Sequence, residues 1–154
     1  MTTIKQNLRY EFIHPKEKPQ IIEFLKRNFY ADEPLTEYIK VLDNPKSVKV
    51  LNEFSTKSII ENMSLLARTE SGEIAGISLN SVKCKNDPKD EPVTDFLFGK
   101  IAKLLGFAYE DSKVFEKFPD IDCVISVDII SVDRKFQGQG IAKVLMDKTR
   151  QVIN

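Results

Sequence analysis

The sequence predicts an α/β domain built on a mixed, mostly antiparallel sheet flanked by helices. Three observations lead there. Strand-like and helix-like periodicities follow one another in the order strand, helices, hairpin, helices, strand, helix. Two of the strand-like runs are joined through Ser71-Gly72, a turn that makes them antiparallel neighbours. The most β-prone run of the chain leads directly into a glycine turn and a last helix.

Leu8-Arg9-Tyr10-Glu11-Phe12-Ile13 alternates as a first strand, and Pro15 stops it. Pro19 suits the opening of a helix in which Ile21, Ile22, Leu25 and Phe29 recur at helical spacing. Asp32-Glu33-Pro34-Leu35 reads as a second helix start, with Asp32 as the cap and Pro34 preset for the first turn, before Asn44-Pro45 interrupts it. A further helix is expected from Lys46 to about Ile60. Ser64 to Arg68 and Glu73 to Asn80 form the hairpin strands, Gly72 supplying the positive φ of their turn. Asn86 to Pro92 is a charged loop, after which Phe96, Leu97, Ile101, Leu104 and Leu105 mark an amphipathic helix that ends near Gly106. Val114, Phe115 and Phe118 give one more short helix, closed by Pro119. Cys123 to Val132 is long enough for a central strand. Asp133 to Gln139 is a turn-rich connector, and from Gly140 the spacing of Ile141, Val144, Leu145 and Val152 gives an amphipathic helix running to Asn154.

A chain of 154 residues with 42% apolar side chains builds one core, so residues 1–154 are expected to form a single domain. Lysine plus arginine number 23 and aspartate plus glutamate 23, which leaves no net field to draw the molecule to nucleic acid or an acidic membrane. An anion must therefore be held locally. Cys84, Cys123 and the single histidine, His14, cannot build a standard zinc site or a disulfide framework, so the cysteines are expected as two reduced, partly buried thiols and no metal is expected. His14 reads as a surface residue. The opening segment Met1 to Asn7 is polar, with no apolar h-region, and no uncharged apolar run approaches the roughly 18 residues of a membrane span. The cytoplasm is the default compartment.

Gln137-Gly138-Gln139-Gly140-Ile141-Ala142 lies between a strong strand and a helix, where unpaired backbone amides meet the positive end of the helix dipole. Glycine at 138 and 140 lets an anionic oxygen approach the main chain, and Arg134, Lys135 and Lys143 add positive charge nearby. A plain strand-to-helix turn that needs glycine for its φ angles accounts for the same residues, and both readings stand. Two nucleotide motifs fail. A P-loop needs Gly-Lys-Ser/Thr where Ile141-Ala142 stands, and a dinucleotide fingerprint needs a small residue at Lys143 and an acid about 20 positions further on.

Gln-x-x-Gly-x-Ala at 137 to 142, after a strand ending Ile130-Ser131-Val132-Asp133, resembles the acetyl-CoA signature of the GNAT acetyltransferases. Phe29-Tyr30-Ala31-Asp32-Glu33-Pro34-Leu35, after a first helix, is similar to the Phe-Phe-x-Asp-Glu-Pro-Leu element of insect-type arylalkylamine (dopamine) N-acetyltransferases. Ala75 to Asn80 and Ile129 to Asp133 also sit where that group has strands, so the likeness spans essentially the whole chain. The resemblance implies a GNAT fold with acetyl-CoA as co-substrate. The CoA pyrophosphate would lie on the amides of Gln137, Gly138, Gln139, Gly140, Ile141, Ala142 and Lys143, and the pantetheine arm would pair with Ile130, Ser131 and Val132 like an added strand. It also implies Glu33 as the general base that takes the proton of a substrate ammonium such as that of dopamine, serotonin or tryptamine. Attack on the thioester would be direct, with the oxyanion stabilised by strand amides near Ile130 to Val132 and neither cysteine a nucleophile. Without that likeness, Glu33 reads as an acid complementing a helix dipole. Tyr30, Phe29 and Phe54 are placed either against an aromatic substrate or in the core.

Related enzymes continue beyond the motif helix with further strands and a helix, so the chain reads as lacking the C-terminal strands. The Cys123 to Val132 run would then expose an apolar edge open to self-association. An inactive remnant that binds CoA weakly or only associates with other chains, and an acetyltransferase for another primary amine such as a polyamine or a peptide terminus, are the alternatives to an arylalkylamine enzyme.

Overall fold

The computed structural model describes residues 7–152. Segment 1–6 of the polar opening and residues 153–154, where the last helix was expected to end, lie outside the described residues. Strands β1 (Leu8–Phe12), β2 (Leu65–Thr69), β3 (Ile74–Cys84) and β4 (Cys123–Val132) form one sheet in the order β1-β2-β3-β4, each pairing antiparallel. Helices α1 (Lys18–Leu25), α2 (Pro34–Tyr38) and α3 (Pro45–Thr56) fall between β1 and β2, α4 (Phe98–Ser112) and α5 (Val114–Lys117) between β3 and β4, and α6 (Ile141–Gln151) comes after β4. The β2–β3 hairpin turns at Gly72, whose φ is +92°.

β3 is buried continuously from Ile74 to Ser81, because helices cover both faces of the sheet. Ile77 and Leu79 pack with Phe24 and Leu25 of α1, Leu51 of α3, and Phe98 and Ile101 of α4. On the other face Leu65, Ala67 and Ala75 pack with Phe136, Ile141 and Leu145. A register shift lets Gly76 pair with Ala67 and Ile74 with Arg68, so Ala75 is the unpaired residue of a bulge, and it switches which face the strand presents. A second shift, between the Leu79–Ile129 and Asn80–Val127 pairs, leaves Asp128 as an extra residue on β4. The outer edge of β4 has no strand partner among the described residues. Among those residues no helix is long and apolar enough to cross a membrane.

α4 does not end near Gly106 but runs through it to Ser112, where Lys113 takes the left-handed conformation at φ 49°. A helical glycine costs only about 1 kcal/mol relative to alanine, too little to stop a helix with good formers on both sides. Cys84 and Cys123 are not reduced thiols but a disulfide. They are the directly opposed pair at the end of the β3–β4 ladder, with Cα atoms 4.0 Å apart, a proximity that their sequence separation of 39 conceals. Closing a loop of that length stabilises a fold by about 4 kcal/mol in the chain-entropy limit. Reductant should therefore lower the melting temperature by about 10 °C. An identical melting curve with and without reductant would show that the pair contributes nothing.

Candidate functional site

β4 ends against the bulged part of β3, with Val132 opposite Gly76 and Ser131 opposite Ile77. Asp133, 3% exposed, fixes the path of the chain as it leaves the strand. Its amide donates to the Ala75 carbonyl at 2.9 Å, and its carboxylate accepts from the Lys135 amide at 3.0 Å and lies 3.5 Å from the Arg27 guanidinium. The carboxylate thus caps a short 3-10 turn, Arg134–Phe136, that drives Phe136 into the core beneath α6. The exposed Gln137 side chain donates back to the Val132 carbonyl at 3.3 Å.

Gly138 and Gly140 both take φ +78°, in the left-handed region that favours glycine. Gly140 is the N-cap of α6 and offers no side-chain acceptor, so the amides of Ile141, Ala142 and Lys143 open the helix without a capping partner. A Cβ on either glycine would meet no atom within 4 Å, so the turn is open on the side of both glycines. α6 is seated at both ends. A Cβ at Gly76 would lie 3.0 Å from Ile141 Cγ2 and 3.2 Å from the Ser131 carbonyl, so this glycine lets the helix start lie close on the sheet. Near the other end, buried Asn80 donates to Thr149 Oγ1 at 3.3 Å and to the Met63 carbonyl at 2.7 Å.

The cations expected to enrich the turn are each matched by an acid. Arg134 pairs with Asp32, Lys135 with Glu73 at 2.9 Å, and Lys143 with Asp147 at 2.7 Å. What the turn offers an anion is therefore chiefly its oriented amides.

The second motif folds onto the first. α1 continues into a π-helical turn, Lys26–Tyr30, and Glu33 then becomes the N-cap of α2. Asp32 was expected to cap, but its carboxylate is turned to Arg134. Pro34, preset at the first helical position, moves the cap one residue on. The Glu33 carboxylate accepts three hydrogen bonds: Leu35 N to Oε1 at 3.1 Å, Thr36 N to Oε2 at 2.6 Å and Thr36 Oγ1 to Oε2 at 2.6 Å. Burial pushes its pKa up, but the Thr36 and Leu35 donors outweigh that and hold the carboxyl below its ordinary 4.5. It is a carboxylate at neutral pH.

Three contacts stitch this segment to the end of β4 and the connector: Arg27 with Asp133, the Ser131 hydroxyl donating to the Asn28 carbonyl at 3.4 Å, and Asp32 with Arg134. Residues about a hundred positions apart thus meet, and Glu33 stands directly after one of them. Two amide atoms in this region are buried without partners, the donor Asn28 Nδ2 and the acceptor Gln139 Oε1. Together with the uncapped α6 amides, they suit a ligand that carries an anionic group and both donors and acceptors.

Sequence reasoning missed Asn28 and Thr36. Thr36 stands three residues after Glu33, the spacing at which a cap meets its first turn, and that signal was available. The aromatic residues fall to the core. Tyr30 is fully buried, burial pushing its phenol up to about 12 while nearby Ser55 pulls the other way. Its hydroxyl has no partner in hydrogen-bond geometry. Phe29 packs edge-on against Tyr30 and Phe54 against Phe98. His14 is exposed, as expected. Among the described residues no cluster of three or more His, Cys, Asp or Glu is placed to hold a metal ion.

An antiparallel sheet whose edge strand runs into a glycine turn and an uncapped helix is the framework of a GNAT acetyltransferase, and solved structures share it. No protein-family model matches the chain. The fold is similar to arylalkylamine N-acetyltransferase 2 from Aedes aegypti, with a TM-score of 0.84 and 33% identity over 95% of this chain and 70% of that one. It is similar to a putative arylalkylamine N-acetyltransferase 7 from the same mosquito, with a TM-score of 0.82, 19% identity and coverage of 93% and 60%. A polyamine N-acetyltransferase from Drosophila melanogaster, described as forming N-acetylagmatine, gives a TM-score of 0.78 at 19% identity over 95% and 70%. The chain belongs to the insect arylalkylamine N-acetyltransferase family, acyl-CoA-dependent N-acetyltransferases of the GNAT fold.

Proposed function

We propose that this protein transfers the acetyl group of acetyl-CoA to the primary amine of an arylalkylamine such as dopamine, serotonin or tryptamine, with Glu33 as general base. The observation that supports the reading is the meeting of the two motif segments through Asp32–Arg134 and Asn28–Ser131, Glu33 being the residue next to Asp32. Acetyl-CoA supplies an activated thioester carbonyl. The first-turn amides at Ile141, Ala142 and Lys143, with the turn Gln137 to Gly140, hold the pyrophosphate. The unpaired edge of β4 at Ile130, Ser131 and Val132 takes the pantetheine as an added strand. Backbone amides of the same edge stabilise the charge that develops on the carbonyl oxygen.

Glu33, ionised at neutral pH, attracts the substrate ammonium and takes one proton from it, freeing the lone pair that attacks the thioester carbonyl; as the carbon–sulfur bond breaks, the departing CoA thiolate takes the second proton from the nitrogen. The thiol of CoA leaves, so release of free thiol reads the reaction directly. The β4 edge is also where a second chain would pair in the absence of ligand, which makes self-association part of the same proposal.

The test is release of free thiol from acetyl-CoA by the 154-residue protein, measured across dopamine, serotonin, tryptamine, spermidine and agmatine. Amine-dependent release that is fastest with the aromatic amines is the expected result. Preference for spermidine or agmatine would replace the acceptor class, and no release with any amine would leave the non-catalytic reading in place.

A further inference from the structure

Capping α2 requires one carboxylate oxygen in reach of the amides of the first turn, and the amides of Leu35 and Thr36 already satisfy that need. The Thr36 hydroxyl is an additional donor. It points to Glu33 Oε2 at 2.6 Å, on a residue only 3% exposed. Oε2 therefore carries two donors and Oε1 one, so the acceptor site left open on the carboxylate is on Oε1.

We propose that Thr36 is a positioning residue for Glu33: its hydroxyl saturates Oε2, locks the carboxylate against rotation and leaves Oε1 as the oxygen that receives the amine proton. The proposal rests on the reading of Glu33 as the base and adds to it which oxygen acts and what holds it. A hydrogen bond donated to an ionised carboxylate favours the ionised form, so Thr36 also keeps Glu33 negatively charged and able to hold the ammonium.

No ion pair competes for this carboxylate among the described residues. On its own segment, Asp32 is engaged by Arg134, while Glu37 and Tyr38 lie further along α2. In the π turn, Arg27 is paired with Asp133 and Lys26 with Glu23. Lys40 and Asp43 belong to the turn after α2, and on α4 Lys100 and Lys103 lie over the rings of Phe96 and Phe107. The neighbours that set the titration of Glu33 are thus the three hydrogen-bond donors and its burial.

The test uses the 154-residue protein as wild type, Thr36→Val and Thr36→Ser. The Glu33 side-chain carboxyl is titrated by carbon-13 NMR, and the acidic limb of kcat/KM is measured with acetyl-CoA and tryptamine. Valine keeps the shape and removes the donor, so the Glu33 pKa should rise by about one unit, the acidic limb should move with it, and serine should restore both. An unmoved Glu33 titration in Thr36→Val overturns the proposal whatever the kinetics show. A moved titration with an unmoved acidic limb supports the hold of Thr36 on the carboxylate and overturns Glu33 as the base. Should the valine variant not fold, the wild-type hydroxyl proton of Thr36 decides: protection from solvent exchange at neutral pH that is lost as Glu33 is protonated supports the proposal, and fast exchange throughout overturns it.

Discussion

Glu33→Gln should lower turnover with an arylalkylamine by roughly 10²–10⁴-fold, the range that a positioned general base contributes, while affinity for CoA stays close to wild type. Glutamine has one carbonyl oxygen where the carboxylate uses two, so it can keep the Thr36 amide but not also the Leu35 amide, and the cap of α2 is weakened without being removed. The negative charge and the proton-accepting capacity are lost. Glu33→Ala separates the two contributions, because it also removes the cap, at about 1 kcal/mol of stability. A fall in kcat shared by both variants, with the melting temperature lowered further in alanine than in glutamine, is the expected pattern. Unchanged turnover in glutamine would leave Glu33 as a helix cap and nothing more.

Gly140→Val should weaken CoA binding by at least about tenfold and also destabilise the protein, because an L-residue in the left-handed region costs roughly 1–2 kcal/mol. The φ of +78° is the cause, and not crowding, since a Cβ there meets no atom within 4 Å. Relief of that strain must rotate the peptides whose amides open α6, which are the groups proposed to hold the pyrophosphate. Gly140→Asn should be milder, because asparagine tolerates this conformation. Gln137→Ala and Gln139→Ala should cost less than valine, the proposed contacts being made by backbone. Calorimetry with CoA measures all four, and a valine variant that binds as wild type would remove the turn from the cofactor site.

Much of the architecture was legible because its signals are local. Alternation marked β1, the Ser71-Gly72 turn fixed the β2–β3 hairpin, and the β-rich run before Gly138 announced the strand-turn-helix end. Gly106 misled because a lone helical glycine is a weak stop, outweighed by its neighbours. The cystine was invisible because cross-strand register, not spacing in the chain, brings Cys84 to Cys123. The site was legible as two motifs but not as one place. Asp32 reads as the cap because nothing in the sequence shows that Arg134, 102 residues away, claims its carboxylate. The same blindness to distant partners makes Arg134 and Lys135 look like free positive charge, whereas the Lys143–Asp147 pair is an i,i+4 contact that the sequence itself offers.

The cystine also changes what a broken backbone would look like. With Cys84 joined to Cys123, the stretch bearing α4 and α5 is a ring closed through sulfur. Residues 87–95, which carry no regular structure and are mostly exposed, offer a protease its opening within that ring. A molecule clipped there keeps both fragments joined and migrates as one species on a denaturing gel until thiol is added, so intact mass under oxidising conditions is no proof of an intact main chain.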